Sequence, residues 1–196
     1  VKKMKIGILI TSISSFGKMG FYNSQEIGLA KELALQIEEV KIYKLIPLDK
    51  EKRTEKIEGY NNITVQLIPA KSSGINGMID TGKLDISLNA IIHFSYTQYS
   101  VPKVYHWCIK NCIRYIPYIG VVESNSPSRV KQVITNFIFK RNVEVYKKCV
   151  CCAKTPAVQN RLSLLGVKNT VLAPVGLDSS LLKKDYEQYS ANELKH

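Results

Sequence analysis

The chain has 196 residues, 45% of them hydrophobic, and its 28 Lys and Arg against 16 Asp and Glu leave a formal net charge of +12. That length and composition exclude a disordered or fibrous chain and describe one globular domain with enough residues to bury a core. The positive balance favours anionic partners (phosphate esters, nucleic acid or an anionic lipid surface) without choosing among them.

In chain order, Lys5–Thr11 is an apolar, β-branched run of the kind a parallel sheet buries on both faces. The opening VKKMKIGILI has the basic and apolar parts of a signal peptide, but the apolar run is short and leads into Ser12, Ser14 and Ser15, so a first strand is expected. Gly17 and Gly20 then punctuate a polar loop, and Asn23 with Glu26 forms a capping box for a helix over Ser24–Ile37. Ile27, Ala30, Leu33, Ala34 and Ile37 give that helix a core face. Such a loop presents backbone N–H groups at a helix N-terminus, which suits a phosphate or carboxylate.

Further strands are expected at Val40–Ile46, Ile63–Ile68, Ile86–Asn89, Tyr118–Val122, Lys148–Cys152 and Thr170–Ala173. Helices are expected between them: a short one at Ile75–Thr81, then Tyr99–Arg114, Ser128–Phe139 and Pro156–Leu165, the last stopped by Gly166. Lys50–Asn62 is charged and rich in turn formers and reads as an exposed connection. The alternation predicts an α/β fold, a Rossmann-like, doubly wound, mainly parallel sheet of about seven strands with helices on both faces. One domain spans 1–178, and 179–196 is a tail or the start of an interdomain linker helix. No run reaches the roughly 18 apolar residues of a spanning helix.

In open α/β sheets ligands bind beyond the carboxyl ends of the strands, so the residues just after each strand are the first candidates. No G-x-G-x-x-G or G-x-x-x-x-G-K-[ST] occurs, which argues against a dinucleotide or P-loop site. The five cysteines are an odd number inside apolar patterns and suit a reducing compartment. Cys108 and Cys112 stand at i and i+4 of a helix and Cys149 and Cys151 on one face of a strand, but these spacings match no usual zinc pattern, so no metal is expected. His93 and His106 read as a loop residue and a partly buried helix residue.

Ser128–Lys148 carries six basic residues against the single acid Glu144, with Val130, Val133, Ile134, Phe137 and Ile138 at helical spacing. The reading favoured here is a core-facing helix with a solvated basic end; the alternative is a stripe lying on an anionic bilayer. The aromatics are not interleaved with Lys and Arg in any nucleic-acid-binding module, so no nucleic acid is expected.

Three segments together resemble a known family: KIGILITSISSFGKMG with the helix carrying LAKELA, the later VYKKCVCCAKTPAVQNRLSLLGV, and the closing TVLAPVGLDSSLL. They look like the N-terminal, acceptor-side half of a family 4 glycosyltransferase of the GT-B fold. In VLAPVGLD, Pro174, Gly176 and Asp178 match the family's V-I-P-N-G-V-D, with Val175 in place of Asn. Where the family has a His after its fifth strand this chain has IPYIGVVESN, with Glu123 or a neighbour at that position, and where D-x-x-H-x-H ends the fourth strand it keeps Asp85, has Asn89 at a His position and carries His93 a little later.

The resemblance implies a cytoplasmic, retaining hexosyltransferase of polysaccharide biosynthesis that moves a sugar from a nucleotide sugar to a glycan or lipid-linked acceptor. The nucleotide sugar is a co-substrate, no cofactor is implied, and the donor is held by a C-terminal domain that does not follow Asp178 here, so this part alone is expected to be inactive. Gly17, Lys18 and Gly20 are expected near donor phosphate or acceptor, with Lys18 as a point charge toward anionic oxygen. Tyr22 and Tyr96 are expected to stack on a sugar face. Glu123 is the catalytic candidate, and Ser124, Asn125, Asn89, His93 and Gly176 complete the substrate-binding set; Glu123, Ser124 and Asn125 also read as a polar loop capping the helix from Ser128. The alternative function is a flavodoxin-like binding domain for a phosphorylated ligand, without catalysis. Peripheral contact at the inner face of the membrane goes with the lipid-linked acceptor.

Overall fold

The computed structural model describes residues 2–13, 25–74, 76–122 and 128–174. Its centre is β1 (Lys2–Ile10), which pairs in parallel with β2 (Ile37–Pro47) on one side and β7 (Ala90–Phe94) on the other. Helix α1 (Gln25–Ala34) makes the crossover from β1 to β2. On the far side α2 (Val101–Lys110), β8 (Arg114–Ile119), α3 (Arg129–Tyr146), β9 (Cys151–Ala153), α4 (Pro156–Leu164) and β10 (Thr170–Leu172) follow in strict alternation. With β3 (Arg53–Ile57) and β4 (Tyr60–Ala70) the sheet order among the described residues is β10-β9-β8-β7-β1-β2-β4-β3, eight strands with one antiparallel pair. This is the Rossmann-like α/β architecture expected from the alternating pattern.

The central strands are buried on both faces. Leu9 and Tyr43 face a core built with Val104 and Cys108 of α2, Phe139, Val143 and Tyr146 of α3, and Leu162 of α4. Their neighbours Ile8 and Ile42 face the other way, against Ala30 and Ala34 of α1. Alternate side chains of one strand thus feed two cores, which is why β1 reads as a continuous apolar run. Each fully buried Leu or Ile contributes roughly 1.5–3 kcal/mol.

Several boundaries differ from the sequence expectation. The exposed connection Lys50–Asn62 contains β3, an antiparallel edge strand in which Arg53, Thr54, Glu55 and Lys56 are all exposed. Charge on an edge strand blocks pairing with other chains, and it also hides the strand from an apolar-pattern search. The strand expected at Ile86–Asn89 is a turn, because the Asp85 carboxylate accepts the Ser87 N–H at 2.7 Å and leaves Ile86 70% exposed; pairing starts at Ala90.

No helix forms among the described residues of 75–81. Instead β5 (Ser72–Ser73) and β6 (Asn76–Gly77) make a small hairpin, and Thr81–Lys83 is a single 3-10 turn. Helix α2 stops at Lys110 rather than Arg114, where Cys112 takes a φ of 57° and the Ile113 N–H returns to the Cys108 carbonyl at 2.9 Å. Helix α3 runs on to Tyr146, seven residues past the expected end, since Phe139, Asn142, Val143 and Tyr146 extend a buried face. That extension shortens β9 from the amino side. Gly166, with a φ of 84°, stands just beyond α4 as expected.

Candidate functional site

The crossovers from β1 lead in one direction and those from β7 in the other, so the sheet changes winding between these two strands. Open α/β folds bind ligands beyond the carboxyl ends of the strands at such a change of winding. From the β1 end the chain runs through Thr11, Ser12 and Ile13 toward the start of α1; from the β7 end it runs through Ser95 to Ser100 into α2.

This edge is held by a buried polar chain. Ser100 Oγ donates to Thr11 Oγ1 at 3.0 Å, Thr11 lies 3.0 Å from His93 Nε2, and His93 Nδ1 lies 2.7 Å from the Tyr115 hydroxyl. If Thr11, which accepts from Ser100, donates onward to Nε2, the set is satisfied by the Nδ1–H tautomer of a neutral imidazole. Burial alone pushes the His93 pKa down to about 3. The hairpin β5–β6 closes over the same strand end, with the Gly77 N–H donating to the Thr11 carbonyl at 2.7 Å and Asn76 bridging Ser12. From α3, Asn142 Nδ2 donates to the carbonyls of Tyr96 and Gln98 at 2.9 and 3.1 Å, and Tyr146 donates to Tyr96 O at 3.3 Å. Asn142 and Tyr146 thus hold the segment after β7 through its backbone carbonyls.

A partly buried cation on this edge is Lys154. It follows β9 directly and precedes Thr155, whose hydroxyl caps α4 by accepting the Val158 N–H at 3.2 Å. Its side chain lies back across the sheet: Nζ stands 4.9 Å from the Phe94 ring centre and 4.8 Å from that of Tyr118, and donates to Gln25 Oε1 at the start of α1 at 2.8 Å. Gly120 makes this path possible, because a Cβ there would sit 2.7 Å from Lys154 Cδ. Burial lowers the Lys154 pKa, and the Glu26 carboxylate opposes that shift. Glu26 itself is 6% exposed and ion-paired with Lys44, so the described partner of its carboxylate is Lys44. Lys154 therefore presents a partly desolvated cation, bound through a neutral amide and two ring faces, beside the N-terminus of α1.

Of the candidate residues, Gly17, Lys18, Gly20, Tyr22, Glu123, Ser124, Asn125 and Gly176 lie outside the described residues. The cap Asn23 lies outside them too. Tyr96 stands on the carboxyl edge, half-buried with its ring 5.4 Å from that of Phe139. Asn89 corrects the expectation: it precedes β7, at the opposite edge, where its Oδ1 accepts the Lys5 N–H at 2.7 Å and its N–H donates to the Lys5 carbonyl at 2.8 Å. At about 3.3 Å per residue the five-residue strand separates it from the carboxyl edge.

His93 is a strand residue, not a loop residue; it is 0% exposed and both ring nitrogens meet protein partners, so it offers no ring nitrogen to a ligand. His106 is on α2 as expected but exposed, its Nδ1 2.6 Å from Pro102 O. Cys108 is buried in α2 while Cys112 is exposed beyond its end, so that pair does not share a helix face; Cys149 precedes β9 rather than lying in it, but it is buried in the same core as Cys151. Burial pushes the thiols of Cys108 and Cys149 up to about 12 and about 11. Among the described residues no three His, Cys, Asp or Glu groups gather as a metal site.

At the opposite edge Lys5, Lys41, Glu39 and Asp85 are paired with one another. Lys5 and Lys41 each pair with Glu39 at 3.2 Å, and Lys41 also bonds Asp85. The Lys41 hydrogen bond, with help from the Ser87 N–H, holds the Asp85 carboxyl down at about 2. A depression of about 240 Å³ lies on this side, lined by Glu38, Glu39, Asn61, Asn62 and Thr64. Asn62 there donates to the Ala34 and Ile37 carbonyls at 2.9 and 3.2 Å. The depression lies away from the point where the winding changes. No helix among the described residues is long and apolar enough to cross a membrane. Compared with known proteins, the chain matches no family model, and no curated protein shows significant similarity to it.

Proposed function

We propose that this chain is the acceptor-side half of a retaining GT-B glycosyltransferase, moving a sugar from a nucleotide sugar to a glycan or lipid-linked acceptor. The observation that carries the reading is Lys154, a partly desolvated cation at the carboxyl edge beside the start of α1. The loop with Gly17, Lys18 and Gly20 enters α1 at the same place in the sequence. A second positive group at that edge suits an anionic donor diphosphate arriving from a domain beyond Asp178, where charge develops on the leaving group. Tyr96 stands on the same edge for a sugar face, and Glu123 follows β8 in the sequence and keeps its assignment as the carboxylate nearest the transferred sugar.

The test uses the chain extended through the residues encoded after His196, incubated with labelled nucleoside-diphosphate sugars and a membrane lipid extract. Transfer of label with retained anomeric configuration, reduced tenfold or more by Lys154→Ala, is the expected result. An extension with no second α/β domain, or no transfer from any donor, overturns the reading. Pyrophosphate binding without transfer would favour the second function, a binding domain for a phosphorylated ligand.

A further inference from the structure

Helix α3 has two apolar faces that point in different directions. Toward its C-terminal end Ile138, Phe139, Val143, Val145 and Tyr146 are buried against the sheet. Toward its N-terminal end Val130, Val133, Ile134 and Phe137 are 69%, 69%, 49% and 73% exposed. These four sit at i, i+3, i+4 and i+7, one continuous stripe, and at about 100° per residue the stripe faces roughly opposite the buried arc. On the inward side of the same turns stand Gln132 and Thr135, both half-buried. The usual pattern is inverted here, with polar residues toward the protein and apolar ones toward solvent. The favoured sequence reading, a core-facing stripe, is thus corrected for every member except Ile138.

We infer that this half of α3 docks on an anionic lipid surface. Arg129 and Lys140 flank the stripe on one side and Lys131 on the other, all exposed, which is the geometry in which basic side chains reach headgroup phosphates while the apolar row enters the acyl boundary. Over Ser128–Lys148 six basic residues face one acid, so the charge complements an anionic leaflet. Four apolar side chains on a convex helix offer no groove for a peptide. The inference deepens the transferase reading by naming where a lipid-linked acceptor would be met, but it is measured without any sugar transfer, so the two can fail separately.

The test is co-sedimentation of the intact chain with phosphatidylcholine vesicles, with and without phosphatidylglycerol. The expected result is binding that requires phosphatidylglycerol, weakens with added salt, and falls about tenfold in Phe137→Ser and further in Val133→Ser/Phe137→Ser. The melting temperature of Phe137→Ser should equal that of the parent, because the side chain leaves water only on the bilayer. Failure to bind phosphatidylglycerol vesicles, or binding that survives both substitutions, overturns the inference. So does a lower melting temperature in Phe137→Ser, or a dimer in light scattering that the substitution dissolves; these would assign the stripe to the chain itself or to a second copy.

Discussion

The two edges of the sheet spend their charge differently. At the amino edge Lys5, Lys41, Glu39 and Asp85 answer one another, and Asn62 and Asn89 use their side chains to close backbone gaps. At the carboxyl edge Lys154 meets an amide and two ring faces, with no carboxylate within ion-pair distance among the described residues. A compensated edge stabilises the fold; a cation with no ion-paired carboxylate among the described residues can take a counter-ion from a ligand.

Substitutions at the two edges should therefore separate binding from stability. The largest effect is expected from Lys154→Ala, which should weaken pyrophosphate binding by about 1.5–3 kcal/mol in a titration while leaving the melting temperature nearly unchanged. Lys41→Ala should do the reverse, lowering the melting temperature and leaving pyrophosphate affinity intact. An equal loss of affinity in both variants would break the contrast. Gly120→Ala should act through Lys154, because the added methyl occupies the space of Cδ; a loss of affinity smaller than that of Lys154→Ala is expected.

A smaller, pH-dependent effect is expected beneath the carboxyl edge. His93 is neutral in the fold, with a pKa near 3 against 6.5 for an exposed imidazole. Between those values the unfolded chain binds a proton that the native chain does not, so His93 costs stability progressively as pH falls from about 6.5 toward 3. His93→Gln should start less stable at pH 7, since the Thr11 and Tyr115 hydroxyls lose a matched partner, but its stability should fall less steeply with acid. Denaturant midpoints measured across that range would show the two curves converging; parallel curves would mean His93 is protonated in the fold. Asp85 acts in the same direction but lower down, contributing stability above the usual carboxylate range that is lost as pH falls through about 2.

The sheet was legible because its strands carry their burial in composition: Ile8, Leu9, Ile42 and Tyr43 admit no other reading than a strand between two cores. The site was less legible. Asn89 was placed at the wrong edge because Ile86–Asn89 looks like a strand until the Asp85 side chain turns it. Lys154 falls in a strand-end connection that the sequence marks as informative, yet nothing in the sequence shows that Gly120, on the neighbouring strand end, clears its path. For α3 the periodicity was right and its direction was not, since a helical repeat fixes that residues share a face without saying which way the face points.

Amide chemical shifts of the chain titrated with inorganic pyrophosphate test the contrast most directly. The expected result is a set of shifts confined to the carboxyl edge, at Thr11 to Ile13, Ser95 to Ser100, Gly120 and Lys154, and abolished by Lys154→Ala. Shifts centred on Glu38, Glu39, Asn61 and Thr64, or no shifts at all, would contradict it.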